Sequence, residues 1–316
     1  MRTPSHWKNV NLLSLLLWPL GCLYGLATAC RIRSAKPGKV AAKVICIGNL
    51  TAGGTGKTPV AVSLAAMLQK RGLSPCFVTR GYGGTLQDVL VEPQIHTACQ
   101  VGDEPLLLAR QAPVVVNRDR YQGACKAVSN GADYIVMDDG FQNPGLYKDL
   151  SLLVIDGGYG FGNGMCIPAG PLREFKSQGL ARADAVIIIG DDKFNLADKF
   201  HGLPVFKGRV VPVIPGKKDG KVIAFAGIGR PEKFYQSLRE VGFEVIAAHD
   251  FPDHHFYTEA ELAKLIAEAG QKQAQLYTTL KDIVKIPARL WPHFNTLDIA
   301  IEWQNPDDLC EFLIKN

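Results

Sequence analysis

Residues Gly48 to Thr58 read G-N-L-T-A-G-G-T-G-K-T and follow directly on the apolar run Val44-Ile45-Cys46-Ile47. A buried strand running into a Gly-rich turn closed by Gly-Lys-Thr is the sequence form of a cradle for the phosphates of a nucleoside triphosphate. Backbone N–H groups of such a loop point inward, and the following helix adds the positive end of its dipole. The expected cradle is Thr51, Ala52, Gly53, Gly54, Thr55, Gly56, Lys57 and Thr58, with Thr51 standing where the common spacing has Gly. Lys57 is expected at the terminal phosphates, and the Thr58 hydroxyl on Mg2+. The helix after the loop is well marked. Pro59 suits its first turn, Ala61, Leu64, Ala65 and Leu68 share one face, and Gly72 closes it.

This unit is the first of a βα series. Strands are expected over Cys76–Thr79, Val114–Asn117, Tyr134–Met137, Ser151–Ile155 and Ala185–Ile189, with helices over Glu104–Gln111 and Arg120–Val128. Near-continuous apolar strands alternating with helices imply an α/β fold, a mostly parallel sheet covered on both faces. Val205 to Val213 is β-prone and contains Pro212, and a polar turn follows at Gly216–Gly220. A second, smaller α/β series then starts with strands at Val222–Ala226 and Val245–Ala248. Its helices are expected from Pro231 to Gly242 and from Glu259 to Glu268, the latter opened by the capping box Thr258/Glu261. Asn305-Pro306 opens a last helix. The expected division is residues 1–36, 37–204, a β-type linker at 205–220, and 221–316.

Charge is distributed unevenly. Residues 1–87 hold eleven Lys/Arg and no Asp or Glu, although net charge is only +5. Such asymmetry calls for an anionic partner, nucleic acid or membrane surface. The uncharged stretch Asn9–Cys30, with Leu-Leu-Ser-Leu-Leu-Leu-Trp-Pro-Leu, decides for a membrane. A cleaved signal peptide ending near Ala27-Thr28-Ala29 and a buried core helix are the competing readings. The heavier Lys/Arg cluster after the stretch (Arg31, Arg33, Lys36, Lys39) places the body of the protein in the cytoplasm. The eight cysteines form no C-x-x-C pair, which suits a reducing compartment and implies neither a zinc site nor a redox dithiol.

Phosphoryl transfer needs a carboxylate near the metal at the end of another strand. Asp138-Asp139 follows the strand Tyr134–Met137 and meets this need. Asp103, in Gly102-Asp-Glu-Pro105, reads by itself as a helix cap. His254 and His255 follow Asp250 and Asp253, and one His coupled to a carboxylate is the functional reading. Arg173-Glu174, on a Pro/Gly-rich loop, could meet phosphate and metal. Gly157–Gly164 is glycine-dense but lacks dinucleotide spacing.

Taken in order, G-N-L-T-A-G-G-T-G-K-T-P, R-G-Y-G, G-D-E-P, D-D-G-F-Q, G-F-G-N-G, P-A-G-P-L-R-E, F-A-G-I-G-x-P and F-P-D-H-H resemble the tetraacyldisaccharide 4'-kinases, the lipid A 4'-kinases. The resemblance runs from the N-terminal helix to about residue 285. It implies ATP-dependent phosphorylation of an acylated glucosamine disaccharide 1-phosphate at its 4'-hydroxyl, giving lipid IVA. The setting implied is the cytoplasmic face of an inner membrane, with a lipid surface and no nucleic acid as partner. It further implies Asp103 as general base assisted by His254, Lys57 and Arg173 on phosphoryl charge, and Thr58, Asp138, Asp139 and Glu174 near Mg2+. The fold implied is a P-loop domain and a smaller α/β domain joined by a β linker. Two departures stand out: Asn143 where the family has His after D-D-G-F-Q, and Leu280 in place of the acid of T-E-K-D. The main alternative is a membrane-associated P-loop ATPase switch of the partitioning type, although Ala52 stands where those loops carry their signature Lys. A soluble small-molecule kinase is the third reading.

Overall fold

The computed structural model describes residues 4–213 and 219–316. Arg2 and most of the expected polar turn at 216–220 lie outside the described residues. The first half runs α1 (Leu12–Arg33), β1 (Lys43–Gly48), α2 (Lys57–Lys70), β2 (Pro75–Thr79), β3 (Val89–Leu90), α3 (Ala98–Val101), α4 (Asp103–Leu108), β4 (Val114–Val116), α5 (Arg120–Ser129), β5 (Tyr134–Asp138), β6 (Leu150–Asp156), α6 (Lys176–Leu180), β7 (Ala185–Ile189) and β8 (Val205–Val213). The second half runs β9 (Lys221–Ala226), α7 (Pro231–Val241), β10 (Glu244–Asp250), α8 (Glu259–Lys272), β11 (Gln275–Thr279), α9 (Leu280–Ile283), β12 (Asn295–Trp303) and α10 (Pro306–Lys315).

β1 lies between β5 and β6, parallel to both. Successive side chains of a strand face opposite ways, and β1 feeds two cores. Ile45 and Ile47 join Leu64 and Leu68 of α2, while Val44 and Cys46 join Ala124 and Ala127 of α5 on the other face. The sheet order is β10-β9-β11-β12-β8-β7-β6-β1-β5-β2-β4-β3. β3 is antiparallel to β4, and the two halves meet through the antiparallel pair β8 and β12. β8 pairs with β7 only up to Gly208. Beyond that point it has β12 alone as neighbour, a ribbon that tolerates Pro212. β8 runs out from the first half and β12 runs back into it. The carboxyl ends of both sets of strands therefore face each other across one cleft.

The chain's end returns to the first half. Ile301, Leu309 and Leu313 are buried in the same core as Ile45 and Leu64. Trp303 Nε1 donates to Ser63 Oγ at 2.8 Å, and Lys43 Nζ donates to the carbonyls of Leu313 and Ile314 at 2.9 and 3.0 Å. The expected unit 221–316 is thus not one packing unit: α10 closes the core beneath the first half's sheet.

α1 inverts the usual amphipathic pattern. Its buried positions are Ser14, Gly21, Gly25 and Thr28, while Leu12, Leu16, Leu23 and Trp18 face outward. The small face permits close approach: a Cβ on Gly25 would lie 2.6 Å from the Phe175 ring. The 22 residues give a rod of about 33 Å.

Candidate active site

The turn from β1 into α2 forms the phosphate loop. Gly56 is the N-cap of α2 at φ +85°, a left-handed conformation that favours Gly. Asn49 Nδ2 donates to Thr55 Oγ1 at 3.0 Å and braces the loop from inside. Pro171–Arg173 pins its outer edge, with Ala52 N–H donating to Pro171 O and Arg173 N–H to Leu50 O, each at 2.7 Å. Gly53 and Gly54 are exposed, and no protein atom lies within 4 Å of where their Cβ atoms would stand. Gly54 lacks a positive φ as well, so neither packing nor backbone requires its missing side chain. Open space on the loop's outer side is what close approach by a phosphate requires.

Asp138 ends β5 opposite Ile47 of β1, next to the loop. Its Oδ2 accepts from Thr58 Oγ1 at 2.9 Å, and its Oδ1 is buried with no partner. Burial pushes the Asp138 carboxyl up to about 7; the charge of Glu104 adds to this and Lys57 opposes it. Asp139 takes φ +54° and serves other groups. Arg173 Nη1 lies 2.8 and 3.0 Å from its two oxygens, and Lys57 Nζ lies 3.4 Å from Oδ1. Burial would raise Asp139, but Lys57 and Arg173 outweigh it and hold the carboxyl below its ordinary value. One acid is thus ionically saturated, and its neighbour keeps a free oxygen.

Glu174, expected near the metal, is engaged elsewhere. It is fully buried, and Arg182 Nη2 donates to its oxygens at 2.9 and 2.7 Å. Gln142 Nε2 donates to Glu174 at 2.9 Å and to Asn49 O at 2.8 Å. Both oxygens of Glu174 are thus engaged by Arg182, and Gln142 takes one of them as well. The structure therefore brings Thr58 to Asp138, and Lys57 and Arg173 to Asp139, but it does not gather three acids. Among the described residues no group of three His, Cys, Asp or Glu is arranged to hold a metal. Asn143, the departure after D-D-G-F-Q, turns inward to its own loop, where Oδ1 accepts from Gly145 N–H at 3.0 Å.

On the same side of the cleft, Asp103 begins α4 and meets His254 from the second half. Its Oδ1 accepts from Glu104 N–H at 2.9 Å, and its Oδ2 lies 2.9 Å from His254 Nδ1. His254 sits at φ +60° in the loop after β10, with its ring 5.3 Å from that of Tyr82. Burial would raise Asp103, but the His254 hydrogen bond and the charges of His254, Lys281 and Lys285 hold it below the ordinary carboxylate value. The same hydrogen bond, against partial burial, raises His254. Asp103 is not the helix cap that its local sequence suggests, since Gly102 holds that place and Asp103 is the first helical residue, one half of a carboxylate–imidazole pair.

Sequence reasoning missed several members of this edge. Arg120 is buried in the first turn of α5, with Nη1 on Asn117 O at 2.8 Å and Nε without a partner. Burial lowers it to about 10 despite the nearby Asp139 and Asp138. Its signal was positional, since residues just after the strand Val114–Val116 fall on the carboxyl edge. Asp156, at the end of β6, receives Arg230 at 2.5 Å and Lys233 at 2.9 Å from the second half. That pairing depends on the β8–β12 crossing and has no local signature.

A family model described as tetraacyldisaccharide-1-P 4'-kinase matches residues 13–316. The tetraacyldisaccharide 4'-kinase of Paramagnetospirillum magneticum is 49% identical over 311 residues, 97% of this chain and 96% of that protein. That of Rhodospirillum centenum is 48% identical, covering 99% of this chain and 96% of the relative. The crystal structure of LpxK from Aquifex aeolicus in complex with ATP superposes with a TM-score of 0.81 at 27% identity, covering 96% of this chain and 99% of that one. The match reaches past residue 285 to the last residue, which agrees with α10 belonging to the first core. On a glycine loop, a strand-end acid and whole-length similarity together, this chain belongs to the tetraacyldisaccharide 4'-kinase family.

Proposed function

We propose that the cleft transfers the γ-phosphoryl group of ATP to the 4'-hydroxyl of a tetraacylated glucosamine disaccharide 1-phosphate, forming lipid IVA. The observation that carries this reading is the pairing of Thr58 with Asp138 beside an open glycine loop, together with the Asp103–His254 pair that joins the two halves. The first half supplies the loop and Asp103, and the second half supplies His254. The loop's N–H groups and the N-terminus of α2 hold the triphosphate, and Lys57 and Arg173 meet its charge. Asp103 accepts the proton of the attacking hydroxyl as its oxygen bonds to phosphorus and the bridging bond to ADP breaks. His254 orients that carboxylate.

The residues present fit Mg2+. Thr58 and the unpartnered oxygen of Asp138 would hold it, and a magnesium site needs only one or two protein oxygens beside phosphates and water. When bound, the ion supplies charge neutralisation on the phosphate oxygens. Asp139 sets Lys57 and Arg173 in place, and Glu174 ties the 171–174 segment to Gln142 and Arg182.

We further read α1 as the contact with the cytoplasmic face of the inner membrane. Its outward leucines and Trp18 suit hydrocarbon, and Arg31 and Arg33 in its last turn suit anionic headgroups. An acceptor with four acyl chains leaves a bilayer only at about 0.8 kcal/mol per buried CH2, so the catalyst goes to it.

The test is transfer of labelled γ-phosphate from ATP to a tetraacylated disaccharide 1-phosphate, with ATP hydrolysis alone as control. Acceptor-dependent labelling is expected. Hydrolysis that proceeds equally well without acceptor would favour the ATPase switch and sink this reading.

A further inference from the structure

Asp103 and Glu104 stand side by side at the start of α4, and each meets a different loop of the second half. His254 takes Asp103, and Lys281 Nζ lies 2.6 Å from Glu104 Oε1. Lys281 sits on α9, and α9 has a firm base. Asp282 and Lys285 have fully buried side chains 2.7 Å apart. Asp282 also accepts from Tyr257 Oη at 2.8 Å, Thr279 Oγ1 at 2.6 Å and Gly227 N–H at 3.1 Å. Lys281 thus reaches from an anchored helix to the residue next to the proposed base.

We infer that Lys281, by holding Glu104, is a positioning residue for Asp103, fixing the first turn of α4 and cancelling the carboxylate charge beside the base. The inference rests on the reading of Asp103 as general base. The charged groups facing Asp103 are His254, Lys281 and Lys285 from the second half, with Glu104 beside it. Burial would lower Lys281, but Glu104, Asp103 and Asp138 outweigh it and keep the ammonium charged. Without Lys281, Glu104 would leave an unpaired carboxylate in this edge, disfavouring ionised Asp103. Leu280 next to it contributes no charge, so this function falls on Lys281.

The experiment is steady-state kinetics of the full chain with ATP and the tetraacylated acceptor in mixed micelles, across pH, with a thermal melt of each variant. Lys281→Met should lower kcat about tenfold while KM for ATP changes less than about threefold. It should move the acid limb of the pH–rate profile to higher pH, because a cation facing the base is gone. Glu104→Gln should move that limb the opposite way, because an anion is gone and Lys281 stays. Lys281→Arg should keep the limb in place and recover most of the rate. Opposite movements in the two single variants support the inference even if one of them is less stable. Limbs that stay fixed in both, or rate losses that merely follow the loss of folded protein, overturn it. Asp103→Asn run alongside separates the two levels: if it keeps the wild-type rate, the base assignment fails. If Asp103→Asn is inactive while Lys281→Met behaves as wild type, only the positioning role fails.

Discussion

His254 Nδ1 and Asp103 Oδ2 lie 2.9 Å apart across 151 positions of sequence, one from each half of the sheet. A proton acceptor of this kind exists only when the halves meet, since neither loop carries both groups.

If Asp103 takes the acceptor proton, Asp103→Asn should lower kcat by about 10^3-fold, within the range for a positioned base. Affinity for ATP should change less than about twofold, because a base acts mainly in the transition state. Isothermal titration with ATP beside the transfer assay checks both. A near-normal rate in this variant would falsify the role.

His254→Ala should be milder, about 10- to 100-fold in kcat. Its sharper signature is pH. Removing His254 removes the largest influence holding Asp103 down, and burial then raises the carboxyl. The acid limb of the pH–rate profile should move to higher pH, and a limb that stays put argues against coupling.

The same pair makes a stability prediction. Asp103 is depressed, so its contribution is present above 3.8, its ordinary value, and fades as pH falls through the folded value. His254 is raised, so its contribution is present below 6.5 and fades as pH rises through its folded value. The Tm difference between wild type and His254→Ala should peak between these bounds and shrink on either side. A difference that grows steadily toward alkaline pH would contradict the pairing.

Glu174→Gln separates a tether from a metal ligand. As a tether, its loss leaves Arg182 without its carboxylate and should cost about 1–3 kcal/mol of stability. The Mg2+ concentration for half-maximal rate should move less than about threefold. The reverse pattern, an unchanged melt with a large Mg2+ shift, would restore Glu174 to the metal.

Removing residues 1–30 takes away most of α1 and should release the protein from sedimenting vesicles of anionic lipid. It also uncovers the surface against Phe175 and Cys166 that Gly25 and Gly21 now cover. Continued sedimentation of the shortened chain would count against α1 as the membrane contact.

Much of the first half was legible because its signals are local. The strand, loop and helix from Val44 to Gly72 are written in period, turn and cap, and every expected strand forms within about two residues of its expected bounds. The helix expected to reach Gln111 stops at Leu108, and the one expected to stop at Glu268 continues to Lys272, since end positions depend on caps such as the left-handed Gln273. β12 was not read at all. Its role comes from pairing with β8, some ninety positions away, and no local pattern encodes a partner at that distance. The site divides the same way. Lys57, Thr58 and Asp138 are placed by their own strand ends, whereas the partners of Asp139 and Glu174 arise from loops folded together. Composition could mark those acids as interesting without saying which cation each would hold.

α10 gives the order of synthesis a physical meaning. Leu309 and Leu313, which come after every strand of the second half in sequence, complete the core on which α2 and the phosphate loop rest. The first half emerges early but cannot finish packing until the second half and α10 have been made. Loss of α10 would remove none of the proposed catalytic residues, yet it would strike the half of the protein that was synthesised first.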